Sequence, residues 1–172
     1  MHLDVVVANA GICTYTGKII GIPPSEMLSH FTINTMGSLL IFQACYSLME
    51  VMPERSETKA KFIFISSAMG SLEAQPRLRI DATPYAISKA ACNLLARKIH
   101  FEHDKLISFA VHPGWLKTDM GEWAVGHANV EMVEPPTSLE EGVAGIVKLV
   151  DGATKEVTSG GFWSQEGVRI PW

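Results

Sequence analysis

The sequence lacks the features that define several broad classes of protein. It has three cysteines among 172 residues, and Cys13, Cys45 and Cys92 lie far apart in the chain. A disulfide framework or a cysteine-based zinc site is therefore not expected, and scattered thiols of odd number are typical of a reduced, cytoplasmic protein. The six histidines have no spacing typical of a metal site, so we expect no bound metal.

The chain also has little excess charge and no long apolar run. Its net charge is −4, and no basic cluster is dense enough to indicate binding to nucleic acid or to an anionic membrane. The longest apolar stretch, around Leu39 to Phe42, is far too short to span a bilayer. The first residues, Met1 to Asp4, lack the basic and apolar regions of a signal peptide. A hydrophobic content of 47% over 172 residues predicts a single globular domain, residues 1–172.

Four short segments rich in apolar residues predict β-strands, and longer helical patterns separate them. The first two segments are continuously rather than alternately apolar, which predicts strands buried on both faces, as in a parallel sheet. A capping box from Thr137 to Glu140 starts a helix before the last strand. The alternation of strands and helices predicts an α/β fold with a mainly parallel sheet. The predicted strands are residues 3–9, 62–65, 106–111 and 162–164.

The first long helix is predicted from Ser25, its N-cap, to about Met52. Asn34 and Gly37 lie inside it, and both residue types are unfavourable in a helix interior. One interpretation is a local kink that frees a backbone carbonyl or turns Asn34 toward a cleft. The other is that a strong helix tolerates both residues. The sequence alone leaves the two interpretations open.

The second long helix is predicted from Tyr85 to Glu102, with Pro84 in its first turn. Its Tyr85-x-x-x-Lys89 spacing places a phenol and an ammonium on one helix face. A cation about 4 Å away contributes about 4 kcal/mol at an effective dielectric constant of about 20. Ionising a phenol of pKa about 10 at neutral pH requires a similar free energy. The pair therefore fits acid–base catalysis, but it also fits a packed tyrosine beside a solvated lysine.

Polar candidate residues follow the predicted strands at the points where the strands end. Asn9 ends the first strand, Ser67 follows the second and Thr118 follows the third, while Tyr85 begins a helix. The carboxyl ends of parallel strands form the crevice in which open α/β sheets bind ligands. The sequence therefore predicts one functional site at this edge of the sheet.

In combination, these motifs resemble those of the short-chain dehydrogenase/reductase family across nearly the whole chain. The motifs are Asn9-Ala10-Gly11, Asn34 with Gly37, Ser66-Ser67, Tyr85-x-x-x-Lys89, and Pro113-Gly114 with Thr118. Within the family, the chain is similar to the fungal norsolorinic acid ketoreductase group. Four segments carry this narrower likeness: Ala8 to Gly11, Arg97 to Glu102, His112 to Trp115 and Ile170 to Trp172.

The resemblance implies an NAD(P)H-dependent oxidoreductase that reduces a ketone to an alcohol, with NADP(H) favoured over NAD(H). The implied substrate is a small carbonyl compound, an aromatic polyketide of fungal secondary metabolism. Tyr85 would protonate the substrate oxygen, and Lys89 would lower the pKa of Tyr85 and bind the nicotinamide ribose. Ser67 would hydrogen-bond the carbonyl oxygen. Asn34 would anchor a water that links Lys89 to solvent as a proton relay.

The resemblance also implies two groups of cofactor-binding residues. The loop after the first strand would line the adenosine side, and the loop after the third would contact the nicotinamide carboxamide or the phosphates. The residues are Asn9, Ala10 and Gly11 in the first loop, and Pro113, Gly114 and Thr118 in the second. Tyr85 and Lys89 would also contact the cofactor.

Other parts of the chain take implied roles outside the chemistry. The segment 121–136, irregular as far as residue 133, would form a substrate lid. Ser66 is interpreted as structural, because Ser67 matches the second serine of the family motif. The helices from Ser25 to Met52 and from Tyr85 to Glu102 would pair copies of the chain into a homo-oligomer.

The sequence departs from the family pattern in one respect. No Gly-x-x-x-Gly-x-Gly or Gly-x-Gly-x-x-Gly motif opens a helix. The implied fold is therefore the C-terminal part of a doubly wound, parallel Rossmann sheet, without the first strands and the Gly-rich phosphate loop, and with the first strand at an exposed edge. An alternative is a truncated, non-catalytic remnant that does not bind the cofactor alone. A hydrolase that uses Ser67 and Lys89 is disfavoured, because the sequence has no Gly-x-Ser-x-Gly motif.

Overall fold

The structure, a computed structural model, describes residues 2–50, 59–78, 80–127 and 134–172. Its centre is a parallel sheet of four strands in the order β1-β2-β3-β4. Each strand lies within a predicted segment or extends it by one or two residues, and the α/β prediction is confirmed. The strands are β1, Val5–Ala8; β2, Ala60–Ile65; β3, Leu106–His112; and β4, Phe162–Ser164.

Helices connect each pair of consecutive strands. The prediction of Ser25 as an N-cap is wrong, because extended Pro23 precedes the first helix and Pro24 begins it. Proline suits the first helical turn, where its fixed φ is helical and its missing N–H is not needed. The predicted end near Met52 lies outside the described residues. Within the described ranges, no helix combines the length and the hydropathy that a bilayer crossing requires. The helices are α1, Pro24–His30; α2, Gly37–Glu50; α3, Thr83–Glu102; α4, Asp119–His127; and α5, Leu139–Asp151; the π-helical segment Phe31–Met36 joins α1 to α2.

Two hydrophobic clusters lie on opposite faces of the sheet. On one face, Phe62 and Phe64 of β2 pack beneath α2 and α3. On the other face, Ile63 of β2 and Phe109 of β3 pack beneath α5. These four side chains are at most 1% exposed, because alternate residues of a strand point to opposite faces and helices cover both. The prediction of a strand buried on both faces is confirmed for β2.

The same prediction is wrong for β1. Val5 and Val7 are each 43% exposed. Val7 pairs with Ile63, so these two valines point to the face of the sheet that α5 covers farther along. The cluster beneath α5 contains residues of β2 and β3 and none of β1. Among the described strands β1 pairs with β2 alone, so it is the edge of the sheet and has one uncovered face.

Helix α5 begins one residue later than the predicted capping box requires. Its N-cap is Ser138, whose Oγ accepts a hydrogen bond from the Glu141 backbone N at 3.1 Å. The Glu141 carboxylate accepts one in return from the Ser138 backbone N at 3.1 Å. The backbone N of Thr137 instead donates to the Trp115 carbonyl at 3.1 Å. The capping box at Thr137 is therefore wrong, because this residue is tied to the loop after β3.

The predicted lid segment 121–136 begins as a helix. Its first residues belong to α4, so the expected irregular structure is wrong as far as His127. A hydrogen bond from the preceding loop holds the start of α4, because Trp115 Nε1 donates to the Gly121 carbonyl at 3.0 Å. Residues 128–133 lie outside the described residues. A lid function for the segment stays a prediction.

Candidate active site

A cavity of about 550 Å³ opens at the carboxyl edge of the sheet. Its walls come from the loops after β1, β2 and β3 and from the start of α3. Asn34 is fully buried behind the loop after β1. The cavity brings together the other predicted site residues: Asn9, Ala10, Gly11, Ser67, Tyr85, Lys89, Pro113, Gly114 and Thr118.

Ser67 lies between β2 and the short 3-10 helix Ala68–Gly70, which it caps. Its Oγ accepts a hydrogen bond from the Met69 backbone N at 3.2 Å. That bond uses a lone pair and leaves the hydroxyl hydrogen free to donate. Because Ser67 is at the cavity wall, its O–H can donate to an oxygen atom of a ligand in the cavity.

The neighbouring Ser66 points into the protein instead. It is 1% exposed, and its Oγ donates to Asn93 Oδ1 at 2.6 Å. This hydrogen bond joins the end of β2 to the middle of α3. The geometry agrees with a structural role for Ser66 and with the choice of Ser67 as the candidate for chemistry.

Tyr85 follows Pro84 in the first turn of α3, and its side chain lines the cavity. Burial has the largest effect on its hydroxyl and raises its pKa above the ordinary value, whereas the Ser67 hydroxyl acts to lower it. The resemblance implies that Lys89 lowers the pKa of Tyr85, but the net shift of the Tyr85 pKa is upward. The phenol is therefore protonated at neutral pH, which is the form that a proton donor requires.

Lys89 lies one helical turn beyond Tyr85 and is 4% exposed. Its Nζ donates to the Ile65 carbonyl at the end of β2, at 2.7 Å, and lies 5.6 Å from the centroid of the Tyr85 ring. Burial lowers the pKa of the Lys89 ammonium. An ammonium has three donor hydrogens, so the bond to Ile65 leaves capacity for the hydroxyl groups of a ligand in the cavity.

Asn34 lies inside the π-helical segment. Its Oδ1 accepts a hydrogen bond from the Ile12 backbone N at 2.7 Å, and its Nδ2 donates to the Ile12 carbonyl at 2.9 Å. Nδ2 also donates to Ser88 Oγ of α3 at 2.9 Å. Single π-helical turns are frequent at functional sites. The π-helical turn agrees with a local kink, but the Asn34 side chain contacts the loop behind the cavity and does not line the cavity itself.

The backbone carbonyl of Asn34 is occupied as well. It accepts hydrogen bonds from Ser38 Oγ at 2.7 Å and from Cys92 Sγ at 3.2 Å. A carbonyl oxygen has two lone pairs, so these two side chains use its full capacity. The proton relay through a water on Asn34 stays a prediction, and a relay through this carbonyl would require Ser38 or Cys92 to turn away.

The loop after β1 passes close to both buried groups. A Cβ at Gly11 would lie 3.1 Å from Asn34 Oδ1 and 3.3 Å from Lys89 Nζ. Both groups are held by hydrogen bonds, so a larger residue at this position would displace one of them. Glycine therefore allows the backbone to approach the Lys89 ammonium closely.

The loop after β3 contributes Pro113, Gly114 and Thr118 to the opposite wall. Gly114 has a φ of 88°, a left-handed conformation that favours glycine. Thr118 Oγ1 accepts a hydrogen bond from the Gly121 backbone N at 3.2 Å, at the start of α4. Thr118 is thus a helix cap whose hydroxyl hydrogen can still donate toward the cavity.

Comparison with known proteins identifies the family. A family model described as short chain dehydrogenase matches residues 1–127. The chain belongs to the short-chain dehydrogenase family. The matched residues include Ser67, Tyr85 and Lys89. The hydroxyl and ammonium groups that line the cavity therefore lie within the part of the chain that matches the family.

Two curated relatives of this chain are norsolorinic acid ketoreductases, which confirms the predicted group. That of Dothistroma septosporum is 39% identical over 99% of this chain, and that of Aspergillus parasiticus is 36% identical over 99%. The chain spans 63% and 62% of the length of these two relatives. A solved structure, the NADPH-bound carbonyl reductase from chicken fatty liver, matches with a TM-score of 0.85 and 30% identity, covering 99% of this chain and 66% of that one. The Rossmann-type fold is confirmed.

His30 supports the cavity without any motif of its own. It is completely buried, its Nε2 accepts a hydrogen bond from the Thr14 backbone N at 3.2 Å, and its Nδ1 donates to the Glu26 carbonyl at 2.8 Å. Because the Thr14 N–H donates to Nε2, the lone pair is on Nε2 and the ring proton that reaches the Glu26 carbonyl is on Nδ1. The only sequence signal for this role is the four-residue spacing between His30 and Asn34, which places both on one helix face.

Three further cavity residues, Cys13, Met69 and His112, also escape prediction as site residues. Burial raises the pKa of Cys13 to about 11, so this thiol is neutral under ordinary conditions. Met69 belongs to the short helix that Ser67 caps and adds to the apolar wall. No spacing rule points to these residues, because each reaches the cavity only through the tertiary fold.

Proposed function

We propose that this chain carries the proton-donating part of an NAD(P)H-dependent carbonyl reductase that converts a ketone to an alcohol. One observation carries the proposal. The Tyr85 hydroxyl, protonated at neutral pH, lies in one cavity with the Ser67 hydroxyl and the Lys89 ammonium. The names of the curated and solved relatives, which are ketoreductases and a carbonyl reductase, support the same reaction.

The proposed reaction adds a hydride to the carbonyl carbon and a proton to the carbonyl oxygen. NADPH, when bound, supplies the hydride. The Ser67 O–H donates a hydrogen bond to the carbonyl oxygen and stabilises the negative charge that develops there. Tyr85 transfers its proton to that oxygen and completes the alcohol, and its phenolate then regains a proton from solvent.

Lys89 has two proposed roles in this scheme. Its buried ammonium lies close to the Tyr85 ring and would stabilise the phenolate that remains after proton transfer. Its remaining donors would bind the nicotinamide ribose hydroxyls. Gly11 has no side chain beside the Lys89 ammonium, where a Cβ would lie 3.3 Å from Nζ, and this fits the nicotinamide half of the cofactor.

The rest of the cofactor proposal follows the family resemblance. Asn9, Ala10 and Gly11 would line the adenosine side, while Pro113, Gly114 and Thr118 would lie by the carboxamide or the phosphates. We favour NADP(H) over NAD(H), since one solved relative is an NADPH-bound carbonyl reductase.

We infer that the substrate is an aromatic ketone of the polyketide type. The cavity wall includes Met69, Trp115 and Trp123, which offer a largely apolar surface suited to a flat ring system. A volume of about 550 Å³ is within the range of roughly 300–1,000 Å³ typical of small-molecule sites. The norsolorinic acid ketoreductase relatives support this substrate class.

A second candidate is a non-catalytic chain that does not bind the cofactor alone. Two observations favour it. The sequence has no Gly-rich turn that opens a helix and could hold a pyrophosphate. The valines Val5 and Val7 of β1 are exposed on an uncovered face of the sheet.

We also propose that a second copy of the chain pairs with the first through α2 and α3. Both helices expose large apolar side chains, and burying these would remove apolar surface from water. The side chains, with their exposed fractions, are Leu40, 59%; Leu94, 60%; and Phe101, 65%. A Leu94→Glu substitution should shift the chain toward the monomer in sedimentation velocity.

A cytoplasmic location remains a prediction from the scattered thiols.

Calorimetric titration of NADPH into the purified chain separates the two candidate functions. Binding in the micromolar range supports the reductase, and the absence of binding supports the non-catalytic chain. The product formed from an aryl ketone and NADPH then decides the reaction, because a reductase must yield the corresponding alcohol.

A further inference from the structure

His112 is the last residue of β3 and lines the cavity. Residues of a strand alternate between faces, so His112 projects from the same face as Ala110, which belongs to the cluster beneath α3. This is the face whose covering helix carries Tyr85 and Lys89. An imidazole therefore stands in the same cavity as the three proposed reacting groups, and the proposed reaction leaves it unused.

The ring nitrogen Nδ1 of His112 is buried and has no hydrogen-bond partner among the residues that the structure describes. Buried polar atoms are nearly always hydrogen-bonded, and those that are not are often found at functional sites. The other nitrogen, Nε2, is not among the buried atoms that lack a partner. Of the two ring nitrogens, only Nδ1 is thus both buried and without a hydrogen-bond partner among the described residues.

Two physical arguments define the state of this ring. Burial lowers the pKa of His112 to about 4, and no charged neighbour contributes to the shift, so the ring is neutral under ordinary conditions. An unpartnered buried N–H is rarer than an unpartnered acceptor. The neutral ring therefore keeps a lone pair on Nδ1 and its proton on Nε2.

We propose that His112 is a substrate-specificity residue whose Nε2–H donates a hydrogen bond to a second oxygen atom of the ketone substrate. This deepens the proposed function and rests on it for the presence of a ketone in the cavity. Ser67 and Tyr85 bind the reacting carbonyl oxygen, and His112 would bind a hydroxyl, ether or carbonyl oxygen elsewhere on the ring system. The preferred substrates are then aryl ketones with an oxygen substituent.

Ligand binding tests the proposal without the cofactor and without turnover. Dissociation constants are measured for acetonaphthone and its monomethoxy isomers with the wild-type chain, with His112→Phe and with His112→Gln. Phenylalanine keeps a planar ring without nitrogen, and glutamine retains an N–H donor. The wild type should bind one methoxy isomer about 3- to 10-fold more tightly than the parent ketone, as expected for one neutral hydrogen bond. His112→Phe should lose this difference, and His112→Gln should retain part of it.

Nitrogen NMR of the His112 ring provides a second readout that does not depend on the folding of a variant. In the wild type, the proton should be on Nε2, and the Nε2 resonance should shift when the preferred isomer binds. A proton on Nδ1, an isomer preference that persists in His112→Phe, or the absence of any preference or binding would overturn the proposal. A chain that shows the preference but fails to oxidise NADPH would refute the proposed reduction alone.

Discussion

The Asn34 side chain holds both backbone polar groups of Ile12. Its Oδ1 accepts from the Ile12 N at 2.7 Å and its Nδ2 donates to the Ile12 carbonyl at 2.9 Å. One turn earlier, His30 adds a bond to the Thr14 backbone N at 3.2 Å. Two buried side chains of the first helical region therefore hold the loop after β1 at three backbone groups. This loop forms the cavity wall next to Lys89.

Replacing Asn34 should destabilise the fold. Asn34→Ala removes three hydrogen bonds of the side chain and leaves Ile12 without its partners, which predicts a loss of about 2–4 kcal/mol in the free energy of unfolding. Urea denaturation checks the value. The exposed Asn9 offers a matched control, since Asn9→Ala should change stability by less than about 0.5 kcal/mol. Equal effects of both substitutions would contradict the proposed stabilisation of the loop after β1 by the Asn34 side chain.

Gly70 should be far less tolerant of a methyl group than Gly21. A Cβ at Gly70 would lie 2.8 Å from the Lys89 backbone C and 2.9 Å from the Ala90 N, whereas a Cβ at Gly21 meets nothing within 4 Å. Gly70→Ala should therefore push the turn after Ser67 away from α3 and lower stability by about 1–3 kcal/mol. Thermal unfolding of both variants checks this, and Gly21→Ala should unfold near the wild-type temperature. A Gly70→Ala protein as stable as wild type would refute the close packing.

His112 should make stability depend on pH between about 4 and 6.5. Its pKa falls from the ordinary 6.5 to about 4 on burial. Above 6.5 the ring is neutral in the folded and the unfolded chain, but between these values only the unfolded chain binds a proton. Stability should therefore fall as the pH drops through this window, by roughly 3 kcal/mol in all.

The His112→Phe variant isolates this contribution. Urea unfolding at several pH values should show a shallower loss of stability for the variant than for the wild type below pH 6.5. Parallel pH profiles of the two proteins would show that His112 is not buried in a neutral state.

Patterns in the sequence predict the sheet where helices cover it and fail where none does. The apolar runs of β2 and β3 correspond to strands with residues such as Phe62 and Phe109 fully buried. The equally apolar β1 leaves Val5 and Val7 exposed. Hydrophobicity along a strand does not reveal which helix packs above it, because that depends on the tertiary fold.

The candidate site divides in the same way. Ser67, Tyr85 and Lys89 could be expected together, since strand ends and the first turn of the following helix meet at one edge of a parallel sheet. The direction of the Tyr85 pKa shift could not be expected, because burial decides it. The bond from Cys92 Sγ to the Asn34 carbonyl joins residues 58 positions apart, and no local pattern predicts such a contact.

Two adjacent serines should have separate effects on activity and stability. Ser67→Ala removes the donor to the substrate oxygen and should lower kcat for ketone reduction by about 100- to 1,000-fold. It also removes the cap on the Met69 backbone N, which should lower stability by at most about 1 kcal/mol. Ser66→Ala leaves Asn93 Oδ1 without its 2.6 Å partner and should lower stability by about 1–3 kcal/mol, with activity per folded molecule retained. Steady-state kinetics and urea unfolding of both variants check the assignment. A reversed pattern would exchange the roles of the two residues.

The rate of ketone-dependent NADPH oxidation by the purified chain, measured for wild type and Tyr85→Phe, tests the proposed proton donor most directly. Phenylalanine keeps the aromatic ring and removes only the hydroxyl that gives up the proton. We predict oxidation of NADPH by the wild type in the presence of an aryl ketone, with a rate at least about 100-fold lower in Tyr85→Phe. Equal rates in the two proteins, or no ketone-dependent oxidation by the wild type, would contradict the account.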